Sequence, residues 1–149
     1  MVDKWKRAFM ETANTFGKLS HAKRAQVGAA IVKDNRIISV GYNGMPSGWD
    51  NNCEEVVRLG DDKTSIPMGL KTKPEVLHAE TNAIAKVARS AESCEGADIY
   101  TTYAPCLDCA KLIYQSGISK VYYANDHMRS TAGVDFLNKC DIEVTHVPI

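Results

Sequence analysis

Apolar positions in the first twenty residues recur with a helical period. Trp5, Phe9, Thr12, Ala13, Phe16 and Leu19 fall three or four apart, which predicts an amphipathic helix over about residues 3–18, with Gly17 near its frayed end. The pattern then changes. Val27-Gly28-Ala29-Ala30-Ile31-Val32 is an unbroken run suited to a buried strand, and residues 36–40 read as the returning strand of a hairpin across the turn pair Asp34-Asn35. Over residues 41–76 regularity fades. Gly41, Gly44, Gly48, Gly60 and Gly69, with Pro46, Pro67 and Pro74, punctuate this stretch, and a short helix is expected within it at residues 54–59. A loop of this length inside a compact domain is usually functional or flexible.

Helical spacing returns over about residues 79–91, where Ala83, Ile84, Val87 and Ala88 share a face. A strand is expected at 97–102, then a helix over about 106–116 that Gly117 stops. Another strand at 121–124, a helix at 131–139 and a last strand at 142–147 complete the chain. This alternation implies an α/β fold, with a mostly parallel sheet covered by helices.

Composition narrows the function class. The 149 residues suit one domain with a single core. Lysine plus arginine and aspartate plus glutamate number 18 each, a balance that gives no support to a broad nucleic-acid surface. The first residues lack the apolar core of a signal peptide, and no apolar run reaches membrane-spanning length. No nucleic-acid or membrane partner is therefore expected, and the expected location is the cytoplasm. Five cysteines, an odd number, fit a reducing compartment better than a disulfide framework.

The candidate chemistry lies in His78-Ala79-Glu80 and Pro105-Cys106-Leu107-Asp108-Cys109. One imidazole and two thiolates supply three ligands for tetrahedral zinc and leave a fourth position for water, whereas structural zinc sites fill all four. Cysteines three apart share one face of a helical turn, Pro105 suits a helix start, and a helix N-terminus favours thiolate. Residues two apart diverge on a regular helix, so His78 must stand at the very start of its helix for Glu80 to reach the same point. Alone, Cys-x-x-Cys reads as a redox pair or half of a structural site, and His-x-Glu as a chance surface pair. Together, each opening a predicted helix, they match the H-x-E…P-C-x-x-C pattern of zinc nucleobase deaminases. Cys53, Cys94 and Cys140 read as buried free thiols, and His21, His127 and His146 as surface or satisfied core histidines. Tyr122 and Tyr123 lie on one strand, so at least one packs in the core.

At these residues the sequence resembles the cytidine deaminase-like superfamily, and within it the deoxycytidylate (dCMP) deaminases. The likeness runs from about Gly28 to Tyr123. It includes Val27-Gly28-Ala29-Ala30, the segment Gly41-Tyr42-Asn43-Gly44-Met45-Pro46-Ser47-Gly48, His78-Ala79-Glu80-Thr81-Asn82-Ala83-Ile84 and Pro105-Cys106-Leu107-Asp108-Cys109-Ala110-Lys111-Leu112-Ile113. The glycine-rich segment and the long insert before His78 discriminate most. Free-cytidine deaminases usually carry Cys at the position of His78.

The resemblance implies a three-layer α/β/α fold with a central mixed sheet of about five strands, and zinc on His78, Cys106 and Cys109 beside the catalytic Glu80. It implies substrate contacts from Asn43, Ala79, Thr102 and Arg129. Read by itself, Asn43 is a turn residue steadying its own loop. Arg129, in the string His127-Met128-Arg129 where relatives often have Tyr-Arg, is the candidate for phosphate, its planar fork matching phosphate oxygens; a solvated surface arginine is the other reading. Relatives are commonly hexameric, activated by dCTP and inhibited by dTTP, with magnesium accompanying the triphosphate, and Asn43 and Gly44 would then lie nearest the effector. No ligand set for a second zinc is visible between Gly44 and Leu77.

Overall fold

The computed structural model describes residues 2–60 and 66–149. In chain order the elements are α1 (Lys4–Gly17), β1 (Gly28–Lys33), β2 (Arg36–Tyr42), β3 (Glu54–Leu59), β4 (Ile66–Thr72), α2 (Ala79–Ala88), β5 (Asp98–Tyr103), α3 (Leu107–Gln115), β6 (Lys120–Asn125), α4 (Ala132–Lys139) and β7 (Glu143–His146). Asp3 caps α1 by accepting the N–H groups of Trp5 at 2.7 Å and Lys6 at 3.1 Å, which satisfies two of the donors every helix start leaves free. Asp34 and Asn35 both adopt left-handed backbone, φ 52° and 58°. Two such residues in succession give the tight turn whose twist matches a hairpin.

The five-stranded sheet has the order β2-β1-β5-β6-β7. β1 runs antiparallel to both neighbours, while the β5–β6 and β6–β7 pairs are parallel. The sheet is therefore mixed, not mostly parallel: the opening hairpin docks β1 against β5 in the opposite sense before the parallel crossovers begin. Successive β1 residues point to opposite faces, and both faces are covered. Ala30 and Val32 join Tyr100 and Tyr122 beneath Phe9, Met10 and Ala13 of α1. Ala29 and Ile31 join Ile99 and Val121 beneath Ala83, Ile84 and Val87 of α2, Ala110 and Ile113 of α3, and Leu137 of α4. That two-sided burial explains why β1 reads as a continuous apolar run. Edge strand β2 is guarded by α2: Asn82 Nδ2 donates to the Tyr42 carbonyl and Lys86 Nζ to that of Val40, each at 2.8 Å.

The insert departs from expectation. Residues 54–59 form a strand, not a helix, and pair antiparallel with β4 in a separate two-stranded ribbon. Val56 and Val57 favour extended backbone, but the partner strand lies outside any local window, and Pro67 and Gly69 disguise it. Residues 61–65 of the stretch expected to be irregular lie outside the described residues. Among the described residues, no helix is long and apolar enough to cross a membrane.

Candidate active site

Two helix starts meet at the site. His78 is the N-cap of α2, with extended backbone at φ −78° and ψ 155°. Cys106 is the N-cap of α3, at φ −69° and ψ 170°. His78 thus stands outside the regular helix, as its spacing to Glu80 requires. Pro105 precedes the cap, two places before the first helical position where proline is most favoured. A short bridge fixes the approach to His78: Gly44 N–H donates to Leu77 O at 3.0 Å and Leu77 N–H to Gly44 O at 2.8 Å.

Close backbone packing holds both helix starts. A Cβ on Gly41 of β2 would stand 2.7 Å from the Ala83 nitrogen and 2.5 Å from the Ala79 oxygen. A Cβ on Gly133 of α4 would collide with the Pro105 carbonyl and lie 2.8 Å from the Cys106 carbonyl carbon and oxygen. Backbone cannot move aside as a flexible side chain can, so only glycine fits at either position.

His78 Nδ1 lies 3.3 Å from Cys109 Sγ and 3.5 Å from Cys106 Sγ. All three donor atoms fall within 4.8 Å of one another. Nitrogen and sulfur sharing a tetrahedral zinc at ordinary bond lengths stand about 3.6 Å apart. The donors therefore fit zinc in spacing and in chemistry. His78 is exposed, Cys106 half-buried and Cys109 buried, so the constellation opens to one side.

The electrostatics suit a cation. Hydrogen bonding from the Cys109 thiol, then from His78, pulls the Cys106 thiol down to about 4. Cys109 is pushed up, first by that same bond and then by burial. The Cys106 bond raises His78 against the opposing effect of its burial. Metal binding displaces these protons. Glu80, 4% exposed, is raised above the ordinary carboxylate value by burial, which the charge of His78 partly offsets. A buried carboxyl with a raised pKa beside a cation site is equipped to accept and return protons.

His78, Ala79, Glu80 and Cys106 line a cleft of about 260 Å³, whose walls include Arg24, Val27, Asn43, Glu54, Tyr103 and the loop 127–129. Asn43 borders the cleft, with its amide tied to the protein: Oδ1 accepts Val27 N–H and Nδ2 donates to Ala25 O, both at 2.9 Å. Ala79 and Arg129 also line it. Thr102 lies buried in β5, where its hydroxyl accepts Gly28 N–H at 3.0 Å, and Gly44 lies in the bridge to Leu77; neither is among the lining residues. Tyr122 is buried and stacked on Tyr100 at 4.6 Å, as core packing requires.

Among the lining residues that the sequence did not assign to the site are His127, Arg24, Glu54 and Thr72. His127 Nδ1 accepts the N–H groups of Arg129 and Ser130 at 3.2 Å, shaping the loop that carries Arg129. Its place just beyond the carboxyl end of a parallel strand, where α/β folds gather ligands, was the available signal. Arg24, Glu54 and Thr72 had none, because the insert's strands were unread.

Residues 3–125 match the family model described as the cytidine and deoxycytidylate deaminase zinc-binding region. The chain belongs to that family. A deoxycytidylate deaminase of Enterobacteria phage T4 is 37% identical over 153 residues, covering 83% of this chain and 79% of the relative. An uncharacterized deaminase of Aliivibrio fischeri is 38% identical over 157 residues, covering 100% of this chain and 97% of the relative. The dCMP deaminase of cyanophage S-TIM5, solved with dCMP and dUMP, superposes with a TM-score of 0.83 at 41% identity, over 99% of each chain. The matched residues include His78, Cys106 and Cys109, the donors brought together here.

Proposed function

We propose that this chain is a zinc-dependent deaminase that converts dCMP and water to dUMP and ammonia. The observation that carries the reading is the convergence of His78 Nδ1 and the Cys106 and Cys109 sulfurs within 4.8 Å of one another, beside buried Glu80 in one cleft. The named dCMP deaminases among its relatives support the choice of substrate.

His78, Cys106 and Cys109 would hold the metal. Zinc, when bound, supplies Lewis acidity that makes a water proton easier to remove at neutral pH. Glu80 takes one proton from the attacking water and hands it to N3 of the cytosine ring as the oxygen bonds to C4. It then takes the remaining hydroxyl proton and carries it to the amino nitrogen, so that ammonia leaves and C4 becomes a carbonyl. Glu80 ends as it began. Its burial keeps bulk water from competing for either proton.

Asn43 borders the expected position of the deoxyribose, with Ala79 and Thr102 as further substrate residues, and Arg129 meets the phosphate. We extend the reading to a cytoplasmic homohexamer that supplies dUMP for thymidylate synthesis, activated by dCTP and inhibited by dTTP. Asn43 and Gly44 would lie near the effector, and magnesium would accompany its triphosphate. The test is a panel of dCMP, deoxycytidine, cytosine and an RNA stem with the zinc-loaded protein, each repeated with dCTP or dTTP. Turnover of dCMP above the others, raised by dCTP and lowered by dTTP, is expected. Deamination of the RNA alone would overturn the substrate assignment.

A further inference from the structure

We propose that Arg24 recognises the substrate's phosphate from the wall formed by the insert, and so sets the preference for a nucleotide over a nucleoside. The inference rests on the deaminase reading above and adds a residue to its cleft.

Arg24 lies between α1 and β1, in a segment without regular structure. Such a segment positions a long side chain only if its backbone is fixed. Here the buried carboxylate of Glu54 does so, accepting Lys23 N–H at 2.8 and 3.1 Å and Arg24 N–H at 3.1 Å. Asn43 holds the next turn of the chain through Val27 and Ala25. The guanidinium is held separately, by Nη1 donating to Thr72 Oγ1 at 3.2 Å. Glu54 and Thr72 are directly opposed residues of β3 and β4, so their side chains leave the same face of the ribbon. One cross-strand pair therefore anchors both the backbone and the head group of a single arginine.

The charge arrangement gives that anchoring a purpose. Burying a carboxylate is costly unless its charge is met, and backbone N–H groups meet that of Glu54. Arg24 is consequently not consumed in neutralising it: among the described residues Arg24 forms no ion pair. Its named bond goes to a neutral hydroxyl, which uses one of five guanidinium donors. The side chain lines the same cleft as Glu80 and Arg129. A fixed, unneutralised guanidinium bordering a reaction cleft is equipment for an anionic oxygen group, which it can grip through two parallel bonds. Cytosine and deoxyribose carry no anion, so the phosphate is the part of dCMP it fits.

The test compares wild type with Arg24→Ala and Arg24→Gln, the second keeping a neutral donor for Thr72. Turnover is measured with dCMP and deoxycytidine, alongside zinc content and calorimetric binding of dUMP and deoxyuridine. Both variants should lose roughly ten- to hundred-fold in the dCMP-to-deoxycytidine ratio of kcat/KM, mainly through KM for dCMP. Deoxycytidine turnover and zinc content should stay unchanged, which shows that the fold is intact. An unchanged ratio in both variants overturns the proposal. If the wild type does not deaminate dCMP, the earlier reading fails, while the binding preference for dUMP over deoxyuridine and its loss in the variants still judges Arg24.

Discussion

At the scale of single residues, the site depends on two side chains that lie outside regular helix. His78 and Cys106 both occupy N-cap positions with extended backbone, and this lets an i, i+2 pair and an i, i+3 pair face the same point. Cys109, buried on α3, completes the donor set. Replacing Cys109 with Ala leaves two donors where zinc needs three or more protein ligands. The variant should purify with far less than one zinc per chain and lose dCMP turnover, whereas Cys94→Ala, outside the donor cluster, should keep both. Metal content by elemental analysis checks this; full zinc occupancy in Cys109→Ala would remove that sulfur from the site. This donor cluster was legible in the sequence because its spacing and residue chemistry are local. Arg24, Glu54 and Thr72 were not, because their association is made by a strand pairing that joins positions 54 and 72.

At the scale of elements, the helices and sheet strands follow from apolar periodicity, and the departures have identifiable causes. The helix expected at 54–59 proved to be β3 because a six-residue stretch holds little periodic information, while its partner β4 carries Pro67 and Gly69. The sheet's mixed sense lay beyond the pattern as well, since alternation fixes element type and not the side on which a hairpin docks. Helix α1 permits a pH test far from the metal. The N–H of Lys6, followed after an opposing burial effect by that of Trp5, holds the Asp3 carboxyl below its ordinary value of 3.8. A depressed carboxylate contributes stability above its unfolded pKa and loses it as pH falls through the folded one. Asp3→Ala should therefore lower the thermal midpoint at pH 7, and the gap to wild type should close as pH drops below 3.8. Thermal melts across pH 2–7 check it; a constant gap would deny the cap its charge.

At the scale of the whole molecule, the ribbon is the feature left least covered. Val56, Leu59, Ile66 and Met68 are exposed, Leu59 and Met68 each by 62%. A lone two-stranded ribbon is marginally stable in water, and apolar surface of this kind marks contact with other chains. The proposed homohexamer should therefore appear in light scattering as a particle six times the 16.4 kDa chain, and a monomer across micromolar concentrations would remove that part of the reading. The same ribbon braces the cleft through Glu54 and Thr72, so on the proposed reading assembly and substrate recognition would share one element.

The proton-carrying role of Glu80 is the claim on which the chemistry turns, and replacing it with Gln tests it most directly. Zinc content and dCMP turnover are measured together on Glu80→Gln and wild type. The account predicts equal zinc in both proteins and a loss of turnover of roughly 10²–10⁴-fold in the variant. Substantial ammonia release by zinc-loaded Glu80→Gln would contradict it.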